Sequence, residues 1–559
     1  MDLEVDSSSR KTPPFDGRVL KQLTQAALHW LRTNQQTVNA LNVFPVPDGD
    51  TGTNMVLTMQ AACDEVASLD ESNVGKVAHA IAHGALMGAR GNSGVILSQV
   101  WRGFARALDS QETLDGSDLV RAFVTARETA YKGVVRPVEG TILTVARDVA
   151  SAAEQALEQT GDPYEILERL VPAADISVNR TPELLPVLKQ AGVVDSGGKG
   201  LFFILDGMAR HLRGEPLEVA SVAVQPLGAM QLDNPLEAIE PGQDYEVVVD
   251  FRPNESFDLE KFYSELETMG TSIQVGEGDG MYRMHIHVPL EKRYEPIDYT
   301  MKLGVITQVH LENLMAQMDD LKRVPKDVIP LTPVEADQIA VVVVAPGPGI
   351  ARVFASLGAA SLVEGGQTMN PSTGQLIDAL KDLPTDKVII LPNNKNIILA
   401  AQSAVHAAAQ MGIEKRIEVI PSRTVPQGLA AMLHLVPDGD LSAIVAQMNA
   451  ALHDVQTIEI TTATRSVEID GVVVEDGQSI ALLNGKLAVA AGNVEGVTLQ
   501  ALELAGAAGY ELITLFSGNN ITPDEVTQIV ERIQAQYPDQ ELEVQDGGQA
   551  HYQFIISIE

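Results

Sequence analysis

The chain has 559 residues, 45% of them hydrophobic, and its 75 Asp and Glu against 39 Lys and Arg give a formal net charge of −36. That length exceeds one hydrophobic core and suits about three domains, while the acidity argues against nucleic acid or anionic lipid as a nonspecific partner, because phosphates are repelled unless a divalent cation intervenes. The one cysteine, Cys63, excludes an internal disulfide and a CxxC metal knuckle, and fits a reducing cytoplasm.

The leader MDLEVDSSSRKTPP has neither the basic start nor the apolar core of a signal peptide. The longest apolar run, IAVVVVAP (339–346), is far too short to cross a bilayer. A cytoplasmic protein with no integral membrane segment is expected. After the leader, Leu20, Leu23, Ala27, Trp30 and Leu31 share one face at helical spacing. They lead to LNVFPVPDGDTGTNM, where prolines at 45 and 47 and glycines at 49 and 52 demand a loop.

In that loop Asp48 and Asp50 stand two apart, so in extended chain both project to one side. Two carboxylates converging on a point need a cation between them, and such oxygen ligands suit Mg²⁺. Thr51, Gly52, Thr53 and Asn54 follow with hydroxyls, an amide and a tight turn suited to phosphate oxygens. The same five letters return at Val436, but there Asp440 precedes LSAIVAQMNAAL, an amphipathic helical pattern, and reads as a helix N-cap.

Alanine-rich helical patterns run on to about residue 213. Within them GARGNSGVILSQ (88–99) sets Gly91, Asn92, Ser93 and Gly94 before an apolar run, which serves either as an anion cradle at a helix start or as a close helix contact. Thr141 stands at another helix start in VEGTILTV, and Asp195, Ser196, Gly197 and Gly198 form a glycine loop before a further helix. His79 and His83 share a helical face, where packing or solvation explains them more simply than catalysis.

A stretch rich in Pro, Gly and acids (226–244) reads as a linker. Beyond it, strand-like YEVVVDF, TSIQV and MYRMHIHV alternate with helical LEKFYSEL and YTMKLG, a small α+β domain. His285 and His287 lie on the same side of one strand, a spacing that suits either a shared metal or two half-exposed histidines. After a second linker, IAVVVVA, KVIILP, IEVIP and ELITLF alternate with helices, an α/β pattern expected to build a largely parallel sheet. APGPGIARV imitates a dinucleotide fingerprint but carries Arg352 where the third glycine belongs, so a tight strand-to-helix turn is expected. Asn393, Asn394, Lys395 and Asn396 form a polar loop that is either a partner surface or an internally bonded turn.

The order DGDTGTN, GNSG, EGT and DSGG across a helical domain resembles the ATP-binding subunit of dihydroxyacetone kinases. The longer strings LNVFPVPDGDTGTNM and ARGNSGVILSQ, with GGQTMNPSTGQL (365–376), ILPNNKNIILAA (390–401) and the final GGQAHYQFIISIE, are similar to the fatty acid kinase A subunit family along nearly the whole chain. The resemblance implies an all-α helical barrel carrying ATP and Mg²⁺ over 13–213, a small α+β middle domain over 226–325 and a DegV-like α/β domain over 336–559. It makes Asp48 and Asp50 Mg²⁺ ligands, with Asn42 or Val43 where dihydroxyacetone kinases carry a third aspartate, Asn42 offering a carbonyl oxygen but no charge. Thr51, Thr53, Asn54, Gly91, Asn92, Ser93 and Gly94 would then meet phosphates, Thr141 and 195–198 would border the nucleotide, and Arg90 or Lys199 would offset phosphoryl charge. In relatives two histidines and a cysteine hold zinc; here Glu246 stands at about the cysteine's position, giving Glu246, His285 and His287 as a Zn²⁺ set.

The implied activity is transfer of phosphate from ATP to a fatty acid carboxylate presented by a separate fatty-acid-binding B subunit, with homodimerisation through the middle domain. The rival readings are a dihydroxyacetone-type kinase for a small hydroxylated substrate and a nucleotide-responsive scaffold without turnover.

Overall fold

The computed structural model describes residues 14–41, 49–134, 136–217, 225–226, 244–254, 257–278, 281–313, 329–367, 369–469 and 471–559. Asn42 and Asp48 lie outside them.

The first domain is helical apart from a two-residue ribbon of β1 (Phe15–Asp16) and β2 (Thr113–Leu114): α1 (Gly17–Thr33), α2 (Gln35–Asn39), α3 (Thr51–Ala67), α4 (Val74–Gly88), α5 (Gly91–Arg106), α6 (Gly116–Lys132), α7 (Ile142–Leu157), α8 (Pro163–Leu184), α9 (Pro186–Ala191) and α10 (Ser196–Arg213). Most starts are written into the sequence, because Asp16, Asn73, Asp115, Thr141, Asp162 and Asp195 each accept a backbone N–H as N-cap. The predicted face of α1 is the buried one, with Leu20, Leu23, Ala27, Trp30 and Leu31 at most 4% exposed. Each long helix packs on the next, α10 lies between α8 and α1, and α3 packs on α1. Small residues allow this closeness: a methyl on Gly84 would stand 2.4 Å from the Ala61 carbonyl oxygen.

The middle region forms a sheet in the order β3-β5-β6-β4-β7 from β3 (Gln225–Pro226), β4 (Tyr245–Pro253), β5 (Thr271–Gly278), β6 (Met281–Val288) and β7 (Gly304–Asn313). Its helices are α11 (Leu259–Glu267) and α12 (Glu295–Leu303), and its core gathers Val247, Val249, Phe251, Phe262, Met284 and Ile286. The expected strands are present. Strand β7 is an addition to them, since it is an edge strand with Val305 71% exposed and lacks a buried alternation.

The last region departs from the expectation of one largely parallel sheet. Strands β8 (Ile339–Ala345), β9 (Ser361–Glu364), β10 (Lys387–Leu391) and β11 (Arg416–Val419) make a wholly parallel sheet in the order β11-β10-β8-β9. Its crossovers include α13 (Pro348–Ser356), α14 (Thr373–Lys381) and α15 (Ile398–Gln410). ELITLF instead enters a second, six-stranded and mainly antiparallel sheet, pairing with the C-terminal strand YQFIISI. The hairpins over 456–491 cause this: short turns such as Asn484-Gly485, both at positive φ, join neighbours antiparallel where a parallel pair needs a helical crossover.

Candidate functional site

Four helix starts meet at one end of the first domain. The Ser196 hydroxyl at the head of α10 donates to the Thr51 hydroxyl at the head of α3 at 3.2 Å. The Asp195 carboxylate accepts from the backbone of both Gly198 and Ile142, tying α10 to the start of α7. Gly91, first residue of α5, has φ +54° and lies so close to Asn54 that a methyl there would meet its amide nitrogen at 2.6 Å, a cradle only glycine fills. The N-termini of α3, α5, α7 and α10 thus bring positive dipole ends to one place, which favours an anion. Thr141, expected at a helix start, is the N-cap of α7.

Asp50 sits before α3 but its side chain accepts no bond from that helix. It turns to the C-terminal domain, where Asn370 Nδ2 donates to Asp50 Oδ2 at 2.5 Å. Arg90, just before α5, donates from Nη1 to the Asn370 carbonyl oxygen at 2.8 Å. Asn370 is 2% exposed, and its Oδ1 is buried with no hydrogen-bond partner. Two more bonds cross the same seam: Thr373 N–H to the Ala89 carbonyl at 3.1 Å, and Asn92 Nδ2 to Asn396 Oδ1 at 3.3 Å. Ala89 and Val95 share a core with Val342, Ile377 and Ile397, so the seam is apolar beneath its polar rim.

The predicted residues therefore divide. Thr51, Asn54, Gly91, Thr141, Asp195 and Ser196 converge, and Asp50, Arg90 and Asn92 line the seam. Gly94, Gly197 and Gly198 give close packing, against Thr58, Ile142 and Val145, and Ser93 is half-buried on the first turn of α5. Thr53 is turned the other way: its hydroxyl accepts from Gln35 at 3.0 Å and Asn39 at 3.1 Å, and Asn39 Oδ1 takes the Gly52 N–H at 2.7 Å. Lys199 lies over the Phe202 ring, 3.6 Å from Asp175. His79 and His83 pair with Asp109 and Glu65 on the surface. Gln35, Asn39 and Asn370 are the participants that sequence reading missed. Asn370 belongs to the string GGQTMNPSTGQL, but nothing local ties it to Asp50.

Burial acts on two of these groups. It pushes the Asp195 carboxyl up from 3.8 to about 6, against the two backbone N–H donors that favour its charge. It pulls the Arg90 guanidinium downward, so an anion facing Arg90 meets a poorly solvated cation.

Other motifs resolve as structure. Asp440 accepts from the Ala443 N–H at 3.0 Å and caps its helix. The glycines of APGPG serve backbone contact: a methyl on Gly349 would lie 1.7 Å from the Asp546 carbonyl oxygen, and the Gly547 carbonyl takes the N–H groups of Gly349 and Ile350. The polar loop is the internally bonded turn. Asn393, φ +54°, is 6% exposed and bonds Val344 and Ser422, and Asn394 bonds Gln367.

In the middle domain Glu246 faces His287 across the β4–β6 ladder, and His285 Nε2 lies 3.0 Å from Glu246 Oε1. One donor atom from each of Glu246, His285 and His287 falls within 4.8 Å of the others, and both histidines are buried. Burial first, and then His285, lowers the His287 pKa to about 4, with Glu246 opposing. Two imidazoles with one carboxylate are a donor set zinc takes.

A helical domain whose helix starts converge at one end, met there by an α/β domain, defines the class. Residues 45–210 match the DAK2 domain, 240–321 the FakA-like middle domain of fatty acid kinases, and 340–559 the FakA-like C-terminal domain. Protein YloV of Bacillus subtilis (strain 168) is 37% identical over 98% of this chain and 99% of its own length. The chain belongs to the FakA-like family, that of the fatty acid kinase A subunit. Among solved structures, the dihydroxyacetone kinase from C. freundii in complex with AMP-PNP and Mg²⁺ is 17% identical, with TM-score 0.28 over 38% of this chain and 37% of that one. The Streptococcus pneumoniae fatty acid kinase B3 protein loaded with linoleic acid is 14% identical, with TM-score 0.26 over 34% and 76%. Among the described residues no helix is long and apolar enough to cross a membrane.

Proposed function

We propose that the chain is the ATP-dependent kinase component of a two-part fatty acid kinase, transferring the γ-phosphoryl group of ATP to the carboxylate of a fatty acid that a separate binding protein presents. One observation carries this reading: Asp50 and Arg90 stand at the meeting of four helix starts, and a second domain reaches them through Asn370. Phosphoryl transfer needs positioning and charge neutralisation more than covalent chemistry. A fatty acid carboxyl, with a pKa near that of Glu at about 4.3, is already ionised near neutrality, so the site needs no general base. Its oxygen attacks the γ-phosphorus, the bond to the bridging oxygen breaks, and ADP leaves with that electron pair, giving an acyl phosphate.

The residues present fit ATP and Mg²⁺ by their oxygen donors, the glycine cradle and the unpartnered Asn370 Oδ1 beside Asp50. Mg²⁺ bound by Asp50 and Asp48 would neutralise phosphate oxygens. Thr51, Ser196 and the N–H groups at the helix starts orient the phosphates. Arg90 faces the developing charge, and Asn370 holds the Asp50 carboxylate in place. The void inside the helical domain, lined by Leu20, Leu23, Leu97 and Trp101, measures about 50 Å³. That is far short of an acyl chain and supports delivery by a carrier. The open edge of β7 supports pairing of two copies through the middle domain, and the Glu246, His285 and His287 triad supports a structural zinc there.

The test is a kinase assay with Mg²⁺-ATP and a candidate B subunit loaded with oleate, trapped with hydroxylamine, with Asp50→Ala as control. Carrier-dependent acyl hydroxamate that vanishes in the variant supports the reading. Transfer to dihydroxyacetone with no hydroxamate sinks it.

A further inference from the structure

A second polar cleft, of about 570 Å³, opens between the helical and C-terminal domains, walled by the distal half of α5, the end of α6 and helix α15. Its lining brings Arg102, Arg106 and Lys132 together, with one carboxylate, Glu128, among them. At ~1.5 Å per residue, Gln99 and Arg102 lie roughly 12 and 17 Å along α5 from Gly91.

Among the described residues these three cations form no ion pair, in a chain where acids outnumber bases 75 to 39. Three basic residues nearby are paired: Arg121 with Asp118, Arg127 with Glu128, and Arg147 with Glu139 and Asp148. Arg102 and Arg106 are one turn apart on α5, where like charges cost a few tenths of a kcal/mol. Arg106 and Lys132 also sit in the last turns of their helices, where the dipole offsets part of that repulsion.

A separate observation points to a ligand. Gln99 lines the cleft, is 8% exposed, and its side-chain amide forms no hydrogen bond among the described residues. The side chain is enclosed along its stem while its amide opens into the cleft, in the same wall as the unpaired cations, where it is free to donate to a ligand. Opposite, α15 contributes Gln402, Ser403 and His406. The His406 Nδ1 is 2.8 Å from the Gln402 carbonyl oxygen, which leaves Nε2 for a ligand.

We infer that this cleft binds a small anion carrying two or more charges, of phosphate-ester or pyrophosphate chemistry. Arg102, Arg106 and Lys132 supply charge, Gln99 donates from its amide, and α15 closes the other side. The ligand braces the C-terminal domain on the helical domain along the seam that, at its other end, joins Asn370 to Asp50. The inference does not depend on the kinase reading.

The test uses the full chain in Mg²⁺-free buffer and inorganic pyrophosphate as calorimetric probe. The wild type is expected to bind one equivalent. Arg102→Gln with Lys132→Gln should weaken binding about 10- to 100-fold, as loss of two charged hydrogen bonds implies, and Arg106→Glu should do the same from an exposed position. Both variants should keep the wild-type Kd for Mg²⁺-AMP-PNP. Arg90→Gln, at the helix-start end, should leave pyrophosphate binding unchanged. Cosedimentation with phosphatidate vesicles that is lost in the same cleft variants assigns the anion to a lipid headgroup, and pyrophosphate binding without cosedimentation assigns it to a soluble metabolite. No pyrophosphate binding, or binding lost in Arg90→Gln but retained in the cleft variants, overturns the inference.

Discussion

Asn370 and Asp50, 320 positions apart, are joined by a hydrogen bond from Asn370 Nδ2 to Asp50 Oδ2. The bond makes the C-terminal domain part of the environment of the first domain's acidic loop. Because Arg90 also reaches the Asn370 carbonyl oxygen, one short segment of the second domain touches both a candidate metal ligand and a candidate phosphate-facing cation.

That contact gives the first prediction. Asn370→Asp places a second carboxylate against Asp50, and the repulsion should lower Tm without metal by several degrees, about 1–2 kcal/mol. Added Mg²⁺ should restore most of it. The rise in Tm with Mg²⁺ should be larger in Asn370→Asp than in wild type and absent in Asp50→Asn, measured by differential scanning calorimetry. Equal Mg²⁺ shifts in all three would place the metal elsewhere.

Asp195 sets a pH dependence. Its carboxyl is raised by burial from 3.8 to about 6, so the folded protein holds this proton more tightly than the unfolded chain. The associated stability is full below about pH 4, falls as pH rises through 6, and is constant above. Asp195→Asn keeps a capping oxygen but removes the titration. The Tm of wild type minus that of the variant should therefore decline between pH 4 and 6, by the equivalent of about 1–2 kcal/mol once partial exposure is allowed for. A flat difference across that window would show that Asp195 does not titrate there.

Gly349→Ala probes the false fingerprint. The added methyl meets the Asp546 carbonyl oxygen at 1.7 Å, whereas a methyl on Gly492 meets nothing within 4 Å. Gly349→Ala should destabilise the C-terminal domain by roughly 1–3 kcal/mol or more, and Gly492→Ala by less than ~0.5. Urea denaturation of the two variants compares them directly. A tolerated Gly349→Ala would contradict the close approach of the 546–548 backbone.

The middle-domain triad predicts bound metal. Protein purified without chelator should carry about one zinc per chain by elemental analysis, and His285→Ala or His287→Ala should lose it. Chelation should lower the Tm of the wild type and leave that of the variants unmoved, because binding free energy is folding free energy at such a site. Metal-free wild type that is indifferent to added zinc would leave Glu246 and His285 as a side-chain contact alone.

Local chemistry was readable along the chain. Asp440 announced itself as a cap, and Thr141 and the 195–198 loop as the starts of helices, because a carboxylate or hydroxyl just before an apolar period has a local partner in its own helix. The buried faces of α1 and of β8 followed from hydrophobic spacing, and His285 and His287 shared a strand face by the two-residue repeat. These features depend only on neighbours a few residues away. What the tertiary structure alone decided was which distant groups meet. The hairpins carried ELITLF into a second sheet, packing against α2 turned Thr53 away from the helix starts, and the seam set Asn370 on Asp50 and gathered Gln99 with three unpaired cations in one cleft. No residue's own propensity encodes such contacts; they follow from the docking of whole faces, where burying apolar surface such as Ala89 and Val95 on Val342 and Ile377 fixes the polar groups at its rim.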